Sequence, residues 1–106
     1  MSAVLSRIQT LVEAGEAIFS DHAYDRMFAA DISTADILWG AAQATLIEDC
    51  PDFHKGPSLL ALQPDREARP IHVVWGLRKG TTTPAVVITV YRPDPERWTS
   101  DFRSRT

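Results

Sequence analysis

Val4, Leu5, Ile8, Leu11 and Val12 recur at spacings of one, three, three and one, the rhythm of a helix with a single apolar stripe. The pattern predicts a first helix over residues 3–14, stopped by Gly15. Ala23, Met27 and Ala30 form a second stripe and predict a helix over 21–30, with Ser20 as its N-cap and Asp21 in the first turn. Ser33 caps a third helix, running through Leu38 and Trp39 to about Ala42. Asp36 supplies a weak capping box there, and Ile32 and Ile37 are spaced as a hydrophobic staple.

After residue 43 the rhythm changes. QATLIEDC, PSLLALQP, RPIHVVWGLR and PAVVITVYR are short apolar, β-branched runs bounded by Pro, Gly, Asp and Thr. The connectors PDFHKG, DREA and KGTTT are too short for parallel crossovers. The expected architecture is α+β in one domain, 1–106: N-terminal helices, then a four-stranded antiparallel meander. Asp94 and Pro95 can start a last helical turn anchored by Trp98, and FRSRT reads as a frayed basic tail.

Strand parity allows a sharper expectation. Ile71, Val73, Trp75 and Leu77 point one way, and His72, Val74 and Gly76 the other. In the last strand the bulkier set is Val86, Ile88 and Val90, and the other is Ala85, Val87, Thr89 and Tyr91. With both bulkier sets in the core, His72 lies opposite Tyr91 or Thr89 on an outward patch, unless a bulge interrupts the pair.

Composition narrows the function. The chain has 106 residues, 44% hydrophobic, enough to bury a core without metal or disulfide support. A formal charge of −3 argues against a broad nucleic-acid footprint but leaves room for a local basic site. Cys50 is the single cysteine, and no Cys/His set has zinc spacing. A reducing cytoplasm is the simplest setting. No signal-peptide core or membrane-spanning run is visible, and no nucleotide loop or metal set implies a cofactor.

The chemistry-bearing residues are few. His72 can serve as general base or acid, because an imidazole titrates near neutrality. Tyr91 can donate a proton or orient a phosphate. Thr89 shares their patch, and Arg92 and Arg78 near its ends can bind a substrate phosphate through paired hydrogen bonds. His22 and Arg26, four apart on the second helix, share a neighbouring face. Each has a plainer reading. His22 and Arg26 can be solvated or tied to Glu48 and Asp49, and a neighbouring hydroxyl can satisfy His72. Tyr91 and Trp98 can simply pack, Trp39 and Trp75 belong to the core, and His54 with Lys55 lies in a loop.

Taken together, FSDHAYDRM, DIS, TLIEDCPD, GPSLLAL, RPIHVVWG and ITVYRPDPERW resemble a small bacterial family, domain of unknown function 4258, over roughly residues 18–98. Its signature positions fall here on His22, Arg26, His72, Tyr91 and Trp98. After RM the family tends to carry another arginine, where this chain has FAAD. The resemblance implies kinship with RelE/ParE-type toxins and the barnase-like ribonuclease fold. It further implies a metal-independent endoribonuclease with His22, Arg26, His72 and Tyr91 as catalytic residues. The implied partners are RNA and an antitoxin protein. The alternative is a non-catalytic protein-binding module of the same fold.

Overall fold

The structure is a computed structural model and describes residues 2–106. Helix α1 spans Ala3–Glu13, and the Ser2 hydroxyl accepts a hydrogen bond from the Leu5 N–H at 3.1 Å. The chain leaves α1 through Gly15 at φ +76°, a left-handed position that glycine adopts without a Cβ clash. Strand β1 (Ala17–Phe19), helix α2 (Asp21–Ala30) and helix α3 (Thr34–Gly40) follow, and α3 relaxes into a 3-10 turn over Ala41–Gln43. Strands β2 (Thr45–Cys50), β3 (Ser58–Pro64), β4 (Pro70–Gly76) and β5 (Ala85–Tyr91) complete the order. Ser20 and Ser33 cap α2 and α3 through their hydroxyls, as their sequence context predicts.

The sheet corrects one expectation. It has five strands in the order β1-β5-β4-β3-β2, and it is mixed rather than wholly antiparallel. The meander of β2 to β5 is antiparallel, but β1 joins the free edge of β5 in parallel, Ala17 beside Ala85 and Phe19 beside Val87. Three residues are too few to show alternation, and their partner lies far along the chain.

Helices and core occupy one face of the sheet. Ile8 and Leu11 of α1, Ala23 and Met27 of α2 and Ile37 of α3 pack with Ile71, Val73 and Trp75 of β4. Trp75 donates from its indole to Gln63 Oε1 at 2.7 Å, and Gln63 Nε2 donates to the Ile37 carbonyl at 2.9 Å. This ties β4 to α3 through a buried amide whose polar atoms are satisfied. Gly40 makes the close approach feasible, since a Cβ there would sit 2.5 Å from the Pro64 carbonyl oxygen.

Three further expectations change. Trp39 is 47% exposed, because α3 buries Ile37 and turns Leu38 and Trp39 outward. In β5 the buried residues are Ala85, Val87 and Val90, not Val86 and Ile88. A bulge between Val74 and Trp75 shifts the pairing from Val74↔Thr89 to Trp75↔Val87, inverting the parity of the first half of β5. Finally, the C-terminal segment is pinned rather than frayed. Trp98 pairs with Arg105, the Thr106 N–H donates to the Arg97 carbonyl at 2.9 Å, and Arg105 meets the Glu48 carboxylate.

Candidate functional site

The register sets His72 directly across from Tyr91 and Val74 across from Thr89, so the three polar side chains share the outward face. His72 is nevertheless 0% exposed, because the segment after β5 folds back over it. Its Nε2 lies 2.8 Å from the Phe102 carbonyl oxygen, and its Nδ1 lies 3.1 Å from the Tyr91 hydroxyl. A carbonyl can only accept, so Nε2 carries the proton. Neutral Nδ1 then accepts from the Tyr91 O–H. The Trp98 ring meets the imidazole edge-on, with centroids 4.4 Å apart.

This enclosure sets the protonation states. Burial pushes the His72 pKa down and the nearby Arg105 charge adds to this, while the Phe102 carbonyl and Glu48 oppose it. Burial likewise pushes the Tyr91 phenol up, so it stays a protonated donor. The pair is a neutral base hydrogen-bonded to a neutral acid. In the closed arrangement neither ring nitrogen can reach a substrate, which a general base must do. Lifting residues 99–106 would free Nε2 while leaving the Tyr91 bond intact.

The remaining residues are scattered around this pair. Arg92 is engaged inside the chain. Its Nη2 lies 3.1 Å from Asp65 Oδ2, and its Nη1 donates to the Pro70 carbonyl at 3.4 Å. Asp65 is buried in the β3–β4 turn. Burial works against its charge, but the N–H groups of Arg69 and Glu67 and the Arg92 guanidinium outweigh it and hold the carboxyl below the usual range. Arg78 is exposed beyond the far end of β4.

His22 and Arg26 are exposed on α2, which inserts Ala23 and Met27 into the core on the opposite side of the sheet from His72. The start of α2 lies at the sheet edge. Ser20 donates from its N–H to the Val87 carbonyl at 3.0 Å and from its hydroxyl to the Ile88 carbonyl at 2.8 Å. His22 therefore stands near the edge where β1 ends. Glu48, a candidate partner for these cations, is taken by Arg105. The structure thus brings His72, Tyr91 and Thr89 together and leaves His22, Arg26, Arg78 and Arg92 outside the enclosure.

Sequence reasoning missed the cover itself. Its components are Phe102, Arg105 stacked 4.7 Å from the Trp98 ring centre, and a turn in which Asp101 accepts from the Thr99 hydroxyl and the Arg103 N–H. The Thr-Ser-Asp run before Phe102 was the available signal, because short polar side chains build such turns. Beside the cover opens a cleft of about 740 Å³, lined by Tyr91, Arg92, Arg97, Trp98 and Arg105 with Glu96. Among the described residues no group of His, Cys, Asp and Glu is arranged to hold a metal ion, and no helix is long and apolar enough to cross a membrane.

No curated protein and no solved structure matches the chain. The family described as a domain of unknown function, DUF4258, matches residues 19–92, from the end of β1 through β5. That stretch takes in His22, Arg26, His72 and Tyr91 and stops short of the covering segment. It is most of the chain, which therefore belongs to this family.

Proposed function

We propose that this domain is a toxin-like, metal-independent endoribonuclease, related in fold to the RelE/ParE and barnase-like ribonucleases, that works in the cytoplasm against RNA and is restrained by an antitoxin partner. The observation that carries this reading is the Tyr91–His72 hydrogen bond on an outward sheet face. His72 is kept unprotonated by burial, the state a general base needs. RNA would lie across that face once residues 99–106 move aside. His72 would take the 2′-hydroxyl proton at Nε2 after a change of tautomer, with Nδ1–H then donating to the Tyr91 oxygen, or would give its Nε2 proton to the leaving oxygen. Tyr91, His22 and Arg26 would hold or neutralise the phosphate. Thr89, Arg92 and Arg78 would line the path, with Arg92 released from Asp65.

A second reading has its own observation. His72 is fully buried with both nitrogens satisfied, and α2 carries His22 and Arg26 on the other side of the sheet. That arrangement suits a non-catalytic protein-binding module in which His72 is structural. Single-stranded RNA incubated with the protein in the presence of EDTA separates the two. The ribonuclease reading expects cleavage that is lost in His72→Ala and increased in Arg105→Ala, which loosens the cover. Absence of cleavage by both the parent and Arg105→Ala would leave the binding module.

A further inference from the structure

Both lysines of the chain, Lys55 and Lys79, stand beside Arg78 at one end of the sheet, although the protein as a whole is acidic. The β2–β3 and β4–β5 connections are stitched together there. The Lys79 N–H donates to the Lys55 carbonyl at 3.1 Å, and the Leu77 N–H donates to the Pro57 carbonyl at 2.9 Å. Between them lies a largely apolar groove of about 380 Å³, walled by Phe53, Leu77, Val86 and Ile88, with Lys55 and Arg78 at its rim. Phe53 is 45% and Ile88 38% exposed. Gly76 lies in the groove, where a Cβ would approach Ile88 Cδ1 to 2.7 Å. An aromatic wall, an apolar cavity of ligand size and two lining cations, with Lys79 next to Arg78 in the chain, form the combination that takes a flat, apolar-faced anion.

The groove also has a direction. Gly76, Val74 and His72 alternate onto the same outward face. The groove therefore lies about 13 Å from His72 along β4, at ~3.3 Å per residue.

We infer that this groove is a subsite for single-stranded RNA, in which Phe53 stacks against a base and Lys55, Arg78 and Lys79 hold the flanking phosphates. This deepens the ribonuclease reading, and rests on it for the choice of RNA. It explains how an acidic protein could engage RNA: the basic contact is local, and stacking supplies sequence-tolerant affinity. A duplex would not enter, because its bases are already stacked.

The test is fluorescence anisotropy with a labelled short single-stranded RNA of mixed sequence, at several salt concentrations. Phe53→Ala should weaken binding about ten-fold. The triple variant Lys55→Ala, Arg78→Ala, Lys79→Ala should weaken it further and flatten its salt dependence. All four positions are exposed, and unchanged melting curves verify the fold. Parent-like binding by the groove variants overturns the subsite, and so does a parent that binds no single strand. Equal binding of a duplex overturns it too, and equal binding of polyglutamate points instead to an acidic protein segment. Groove-dependent binding without cleavage by the parent or Arg105→Ala would uphold the subsite and remove the nuclease reading.

Discussion

Arg105→Ala should open the cover over His72. Two side-chain contacts hold Arg105 in place beside its backbone pairing with Trp98: its ion pair with Glu48 and its position 4.7 Å over the Trp98 ring. Both lie at the surface, with the Arg105 and Glu48 side chains 62% and 44% exposed, so solvent screens the pair. An exposed pair contributes about 0–1 kcal/mol and an exposed cation–π contact about 0.5–1 kcal/mol. Losing both costs the closed state about 1 kcal/mol, which raises the open population about five-fold, since 1.4 kcal/mol is ten-fold. The His72–Phe102 hydrogen bond, about 1 kcal/mol, remains and keeps most molecules closed. The assay is modification by diethyl pyrocarbonate followed by peptide mass mapping. The exposed His22 and His54 serve as internal references. His72 should react far more slowly than either in the parent and about five times faster in Arg105→Ala, with the reference rates unchanged. Glu48→Ala should act in the same direction by a smaller factor, because it leaves the Trp98 contact in place. A His72 that already reacts like His22 in the parent would refute the closed cover. A rate unmoved by either substitution would refute Arg105 as its latch.

Trp75→Ala should lower stability by about 3–5 kcal/mol in urea unfolding, because the ring is fully buried. Trp75→Phe should lose about 1–3 kcal/mol, chiefly because Gln63 Oε1 loses its buried donor, and a loss below about 1 kcal/mol for the alanine variant would contradict the packing described. His72 protonates less readily folded than unfolded, so stability should fall as pH drops through about 6.5 and level off below its folded pKa, a step that His72→Gln removes. Asp36 and Asp65 follow the same sign at lower pH: their carboxyls titrate below 3.8 when folded, so the stability they contribute persists above about pH 4 and is lost only at stronger acid. Arg26→Lys should impair RNA cleavage or binding nearly as much as Arg26→Ala, with little change in melting temperature, because a lysine keeps the charge but not the paired hydrogen bonding. A solvated face predicts that neither change exceeds about 0.5 kcal/mol.

The helices were legible because each carries a complete local signal. Ser20 and Ser33 are followed by stripes that bury Ala23, Met27 and Ile37, and both hydroxyls cap as their context suggests. The C-terminal cover was not legible for a physical reason. Phe102 and Arg105 are ordered by partners far away in sequence, the His72 ring and the Glu48 carboxylate. The run they belong to is short, polar and basic, which resembles an unpinned end. The same limit hid β1, whose only sequence signature is its proximity to the Ser20 cap. The Arg92–Asp65 ion pair was not legible either, because Asp65 looks like an ordinary turn residue. Its burial follows from the Arg69, Glu67 and Arg92 contacts that gather on it.

The β4–β5 pair shows where parity reasoning succeeds and where it stops. Assigning Ile71, Val73 and Trp75 to the core turns His72 outward, with Tyr91 or Thr89 opposite it, and the structure has the Tyr91 pairing. The matching assignment in β5 fails at Ile88. Ala-Val-Val-Ile-Thr-Val is apolar on both faces, so a one-residue shift leaves no polar residue stranded and no trace in the sequence. The bulge is nonetheless what joins the two ends of the outward face. Before it, Ala85 and Val87 point inward and Val86 and Ile88 face the groove beside Phe53. After it, Val90 points inward, Tyr91 lies opposite His72 and Thr89 opposite Val74 on the outward face. Without the bulge, a strand that buried Val90 would also bury Ile88, and the groove would lose a wall. Strict alternation anchored on Val87 instead would bury Thr89 and Tyr91, and His72 would lose its phenol. One inserted residue thus lets β5 serve the apolar groove and the Tyr91–His72 pair on the same face.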